Sequence, residues 1–269
     1  IRSDGSPGAI LSPFSNRVAN GTYTWDGETY YLDKNAANNA MHGFLIDGTA
    51  MEVTFQEADD AHATVGLRYV FGGEKGYPFN VSLDVNYTLS KGLKVSVRAE
   101  NLMQDRSAPF MYGQHPYWKV ADVSKTTVTF DQCSKWNHID VTPDPDLIPI
   151  GTTRRVGAPF DGSIPIGGNT SHPTKYDDGF KAISSTEDCP YLETQIQDGD
   201  DTLYLLMGRT FRFLQVYTGS PDKGIAVEPQ ASETNCWNNK DSVISLQAGE
   251  VWKGWFEFFV QSENGKNTE

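Results

Sequence analysis

A histidine and a glutamate 113 residues apart carry the chemistry this chain could do: His115, in Gly113-Gln114-His115-Pro116-Tyr117-Trp118, and Glu228, in Gly224-Ile225-Ala226-Val227-Glu228-Pro229. An imidazole and a carboxylate are a proton donor and a proton acceptor, the two partners that opening a sugar ring needs, and each well-placed group is worth roughly 10²–10⁴-fold. The Gly and Pro around His115 put it at a strand end, with a fixed backbone and one open side. Alternation puts Ile225 and Val227 on one face of a short strand and Ala226 and Glu228 on the other. A carboxylate that ends a buried run has its pKa perturbed, which is one mark of a functional group. Spacing alone is equally compatible with a rim glutamate that binds a backbone amide.

Other polar residues have informative neighbours. His42 follows the Asn-rich loop Asn35–Asn39 and precedes Gly43-Phe44, whereas His62 sits beside Asp59 and Asp60 in what reads as a solvated turn. Arg17 follows Pro13-Phe14-Ser15-Asn16 and could donate several hydrogen bonds to hydroxyls; as a plain surface ion pair it would contribute only about 0–1 kcal/mol. Asp177-Asp178 before Gly179-Phe180 could accept from sugar hydroxyls or form a simple turn. The chain has no Gly-x-Ser-x-Gly elbow, P-loop or His-Glu-x-x-His. A glycosidase would need two carboxylates about 5–9.5 Å apart, and 35 acidic residues leave that open by count.

The elements that must position these residues are strands. Period-2 alternation dominates. Thr22 to Trp25 and Glu28 to Leu32 flank Asp26-Gly27, a strong hairpin signal. Val65 to Phe71, Phe79 to Leu89 and Leu93 to Ala99 alternate, and Leu203 to Leu206, Phe211 to Tyr217 and Trp252 to Val260 read as further strands. Residues 142–175, rich in Pro and Gly, read as a long loop folded over one face of the sheet. No segment shows a helical moment over three turns. The expected class is all-β, a sandwich or barrel, formed by residues 1–269 as a single domain.

Bulk properties narrow the partners. A length of 269 residues with 38% hydrophobic and 12% aromatic content is globular. A net charge of −13 without a basic run argues against nucleic acid, and the lack of an 18-residue apolar stretch argues against a membrane span. The chain starts at Ile1 without a recognisable leader, so a signal has been removed or an upstream part is missing. Cys133, Cys189 and Cys236 fit no zinc spacing; one disulfide with a free thiol, or a partner cysteine upstream, are the alternatives. Four sequons begin at Asn20, Asn80, Asn86 and Asn169. Asn80 and Asn86 fall on the polar face of the Phe79–Leu89 strand, where glycans could attach. The expectation is therefore an extracellular or secretory location, with the cytoplasm as the alternative.

Six motifs in order over nearly the whole chain resemble the aldose 1-epimerase (galactose mutarotase-like) family. They are Pro13-Phe14-Ser15-Asn16-Arg17-Val18-Ala19-Asn20-Gly21 with the Tyr23-x-x-Asp26-Gly27 hairpin, Asn39-Ala40-Met41-His42-Gly43, His115-Pro116-Tyr117-Trp118, Pro159-Phe160-Asp161, Tyr176-Asp177-Asp178-Gly179-Phe180 and Val227-Glu228-Pro229. The resemblance implies a large antiparallel β-sandwich, the galactose mutarotase-like supersandwich, that interconverts the α and β anomers of free aldoses without cofactor or metal. By motif, Glu228 would be the general base at the anomeric hydroxyl and His115 the general acid at the ring oxygen. Arg17, His42 and Asp177, with Asn16 and Trp118 of the same motifs, would hold sugar hydroxyls.

Two departures stand out. The family has strands upstream of the Pro-Phe-Ser-Asn-Arg region, which here are cleaved off, absent or carried by another chain that completes the sheet edge. Val-Glu-Pro is followed by Gln230-Ala231-Ser232, looser than the family's usual run. With no Arg cluster near Arg17 or His42, the expected partner is an unphosphorylated hexose such as glucose or galactose. The competing reading is a non-catalytic glycan-binding module of the same fold in an extracellular assembly; a polysaccharide lyase or hydrolase would share the sandwich class.

Overall fold

In the computed structural model, residues 7–46, 48–131, 134–156, 163–165, 176–185, 189–219 and 224–262 are described. Two antiparallel sheets dominate them. One runs in the order Ala9–Leu11, Gly113–His115, Ile225–Gln230, Phe213–Tyr217, Asp177–Ser185, Ser134–Val141 and Pro149–Arg155, with Tyr117–Trp118 also beside Ile225–Gln230. The other has nine strands: Ser163–Pro165, Thr127–Phe130, Tyr191–Asp198, Asp201–Gly208, Val251–Ser262, Leu93–Asn101, Val81–Leu89, Ala63–Phe71 and Glu52–Ala58. This is the large antiparallel β-sandwich that the motifs imply.

Alternation explains why these segments are strands. Val81, Leu83 and Val85 are buried while Asp84 and Asn86 are half-buried on the other face, and Val95, Val97 and Ala99 repeat the pattern on the next strand. The inner faces meet in one core, where Trp118 packs on Phe258 at a ring separation of 4.6 Å and Phe130 on Phe180 at 5.2 Å. Such ring pairs add about 0.5–1.5 kcal/mol beyond the area they bury.

The hairpin at Asp26-Gly27 forms as expected, with Thr22–Trp25 paired to Glu28–Tyr31. Residues 142–175 are a correction. Pro149–Arg155 extends the edge of one sheet and Ser163–Pro165 the edge of the other. Pro149 opens its strand and Pro165 closes its own, and edge positions tolerate proline because no ladder N–H is needed there. The Pro159-Phe160-Asp161 motif lies outside the described residues, as do Asn169 and Cys133. Cys189 is disulfide-bonded, whereas Cys236 is a free buried thiol whose pKa burial pushes up. Asn20 and Asn80 are exposed, but Asn86 is only half-exposed. Among the described residues no helix is long and apolar enough to cross a membrane.

A single helical turn, Cys236–Asn239, buries Trp237 in an aromatic cluster. The indole stacks on Tyr77 at 5.5 Å and meets Tyr23 at 4.5 Å and Phe14 at 5.2 Å. Just before this turn, the Asn235 N–H donates to the Arg17 carbonyl at 2.8 Å, and the Ala19 N–H donates to Asn235 Oδ1 at 2.9 Å. Trp237 thus anchors the backbone that carries Arg17. Replacing it with alanine is expected to cost about 3–5 kcal/mol, read as a lowered urea midpoint; an unchanged midpoint would show that the cluster collapses around the gap.

Candidate active site

Glu228 and His115 come together because their strands are neighbours. Gly113–His115 pairs with Ile225–Gln230, with Gly113 opposite Gln230, so two residues along each strand His115 meets Glu228 on the same face. His115 Nε2 stands 3.3 Å from Glu228 Oε1, and both side chains are buried. The two are adjacent on one wall, in contact, rather than facing each other across the hollow. That suits the chemistry, because the hydroxyl and the ring oxygen of a cyclic sugar are bonded to the same anomeric carbon.

The other carboxylate oxygen is held from below. Gln230 Nε2 donates to Glu228 Oε2 at 3.3 Å, and Ser15 Oγ donates to Gln230 Oε1 at 3.1 Å. Gln230, the first residue of the run that follows Val-Glu-Pro, therefore grips the Glu228 carboxylate. Burial raises the Glu228 pKa well above the usual carboxylate range; the nearby Asp177 charge adds to this, while Gln230 and Arg17 pull against it.

The rest of the wall is a closed polar ring. Arg17 donates to Asn16 Oδ1 at 3.0 Å and to Asp177 Oδ2 at 3.4 Å. Gln215 donates to Asp177 Oδ1 at 2.6 Å and accepts from Asn16 Nδ2 at 3.2 Å. Each carboxylate and amide is thereby locked in one orientation before any ligand arrives.

His42 arrives on a loop fastened to the Pro13–Asn16 loop. Its own N–H donates to the Asn16 carbonyl at 2.9 Å, and the Phe44 N–H donates to the Ser12 carbonyl at 3.0 Å. Gly43, at φ +72°, lies so close to the Ser12 backbone that any side chain there would collide with it. The Asn16 N–H donates to His42 Nδ1 at 3.3 Å, which leaves Nε2 as the protonated nitrogen of a neutral ring. Burial, with His115 and Arg17 nearby, lowers the His42 pKa to about 3, so the ring stays neutral.

These residues line a cavity of about 280 Å³ together with Met41, Ile46, Tyr117 and Tyr217. Arg17, His42, Asn16, Asp177, His115 and Glu228 are all at its wall. Trp118 is not: as the strand neighbour of Tyr117 it points to the opposite face and packs on Phe258. Tyr117 takes the place expected of it, stacked on the His115 ring at 4.9 Å. Sequence reasoning missed Gln215 and Tyr217, although Gln215-Val216-Tyr217 alternates visibly around a buried valine. Among the described residues no three His, Cys, Asp or Glu side chains converge as metal ligands would.

The family model described as aldose 1-epimerase matches residues 2–258. The chain belongs to the aldose 1-epimerase family. It is 27% identical over 278 residues to human galactose mutarotase, covering 94% of this chain and 79% of that one. It is 26% identical over 263 residues to an uncharacterized protein of Escherichia coli K12, YihR, with the same coverage of 94% and 79%. In structure it is similar to a galactose mutarotase-like protein from Clostridium acetobutylicum, with a TM-score of 0.77 and 23% identity over 94% of this chain and 78% of that one. An aldose epimerase homologue from C. elegans gives a TM-score of 0.78 at 17% identity, covering 97% of this chain and 84% of that one. Membership makes the chain a mutarotase-type isomerase acting on sugar anomers.

The buried carboxylate has a consequence for stability. The unfolded chain releases the Glu228 proton near the ordinary value of about 4.3, whereas the folded chain holds it to higher pH. Between those pH values the folded state binds more protons, so stability falls as pH climbs through that window. Glu228→Gln removes the ionisation. Thermal unfolding is expected to show the variant gaining on the wild type as pH rises from 4 to 8; a gap independent of pH would contradict this.

Proposed function

We propose that the chain interconverts the α and β anomers of a free, unphosphorylated hexose, with galactose and glucose as the first candidates. The reading rests on the 3.3 Å contact between His115 Nε2 and Glu228 Oε1 at the wall of a cavity of about 280 Å³. That volume lies just below the range for pockets that take drug-sized ligands, about 300–1,000 Å³, and suits a monosaccharide.

Glu228 takes the proton of the anomeric hydroxyl while His115 gives its Nε2 proton to the ring oxygen. The bond from C1 to the ring oxygen breaks and the C1 oxygen becomes the carbonyl of the open-chain aldehyde. C1 then turns and the ring closes on its other face, with the two protons returned. The pair passes from imidazolium and carboxylate to imidazole and carboxylic acid. Burial, which penalises the charged state of Glu228, brings the second state closer in energy to the first. His42 Nε2–H, Arg17 and Asp177 hold hydroxyls and steady the open form.

The lining argues against a phosphorylated sugar. Arg17 is the one guanidinium at this cavity among the described residues, it is already engaged by Asp177, and Glu228 and Asp177 would repel a phosphate. A secretory location is part of the same proposal. The disulfide at Cys189 supports it, since disulfides persist in oxidising compartments, as do the exposed sequon residues Asn20 and Asn80.

Polarimetry on freshly dissolved α-galactose and α-glucose tests the assignment. The wild type should speed the drift to equilibrium, and Glu228→Gln and His115→Ala should each slow turnover by about 10²-fold or more with the fold intact. Undiminished rates in both variants would remove the assigned roles. A folded wild type that gives no acceleration would favour the glycan-binding module.

A further inference from the structure

The larger cavity lies away from the acid–base pair, on the outer face of the nine-stranded sheet, and measures about 740 Å³. The register of that sheet lines up its floor. Phe55 is opposite Gly66, Gly66 opposite Asn86, Asn86 opposite Ser96, and Ser96 opposite Trp255. Directly opposed antiparallel residues share a face, so these five form one straight row across five successive strands. At about 4.8 Å per strand the row spans about 19 Å.

Both ends of the row are aromatic. A side chain at Gly66 would run into the Phe55 ring, and a Cβ at Gly208 would lie 2.7 Å from Trp255 Nε1. Each ring therefore folds over a glycine on a neighbouring strand, which holds it down along the sheet. Phe55 keeps 42% of its surface exposed, so its ring is open to a ligand. Between the rings the floor offers an amide and a hydroxyl.

The flanks are cationic. Arg68, Lys94, Arg98, Arg209 and Lys253 line the groove against one carboxylate, Asp84. Asp84 is engaged by Arg68 at 2.6 Å and by Arg98 at 3.5 Å, and Arg98 also bonds Glu100 at 2.7 Å. The balance at the groove stays positive in a chain of net charge −13. The Lys94 ammonium stands 5.1 Å from the Trp255 ring centroid, so charge and aromatic surface occur together.

We propose that this groove binds an oligosaccharide bearing carboxylates, such as a run of uronic acid residues, at a site separate from the acid–base pocket. Aromatic rings offer flat apolar surface to sugar faces, the amide and hydroxyl floor matches sugar hydroxyls, and the arginines and lysines match carboxylates. The length of the row fits a chain of sugars rather than one. Single-stranded nucleic acid fits less well: its bases stack on successive aromatics, whereas here the rings stand at the two ends of a polar floor.

Titration of the full chain with hexagalacturonate, followed by calorimetry and tryptophan fluorescence, tests this directly and without reference to catalysis. Saturable binding is expected, weakened by added salt and stronger than for neutral maltohexaose. Phe55→Ala and Trp255→Ala should each weaken it about tenfold or more. Phe55 lies on an exposed edge strand, so its variant keeps the core and should retain wild-type anomer interconversion. The proposal falls if hexagalacturonate shows no saturable binding, if both aromatic variants bind like the wild type, or if a single-stranded oligonucleotide binds more tightly. It falls equally if peptide mass spectrometry finds a glycan on Asn86, which would fill the groove from its own floor.

Discussion

The site depends on keeping one carboxylate out of water. Taking a charged Glu228 out of solvent is costly unless it is paired and hydrogen-bonded. The arrangement around it reads as compensation: His115 at one oxygen, Gln230 at the other, and Arg17 further off. Asp177 works in the opposite direction, raising the pKa. The result is a carboxylate whose proton affinity is set by surroundings assembled from four separate stretches of chain.

That constraint explains features with no direct part in the chemistry. Ser15 holds Gln230, which holds Glu228, so a loop before the first hairpin reaches the buried carboxylate in two hydrogen bonds. The Pro13–Asn16 and Met41–Phe44 segments are laced together by backbone hydrogen bonds, and Gly43 permits their approach. The Arg17, Asn16, Gln215 and Asp177 ring is complete without ligand, so little ordering remains to be done on binding. The other sheet is free of this burden, and its outer face carries the aromatic-ended groove.

Much of the fold was legible in the chain because core strands alternate. Val81–Leu89 and Leu93–Asn101 were readable since one face is buried and the other wet. Glu52–Ala58 was not, because this edge strand is exposed on both faces and its Val53 and Phe55 gave no core signal. Asp177–Ser185 and Pro149–Arg155 were hidden by acidic, glycine and proline residues that usually mark turns. At the site, His115 and Glu228 could be singled out by type and flanking residues, whereas the motif offered Trp118 where the structure puts its strand neighbour Tyr117 at the cavity.

The sequence by itself determined the all-β class, the hairpin at Asp26-Gly27, the family motifs and the two residues able to exchange protons, since these follow from local alternation, turn chemistry and side-chain type. Only the tertiary structure decided that those two residues touch, that Gln215 and Gln230 complete the site, and that Phe55 and Trp255 end one row. Those facts depend on which strands become neighbours and in what register. Register is fixed by burying the apolar faces of the whole chain at once, not by any segment alone.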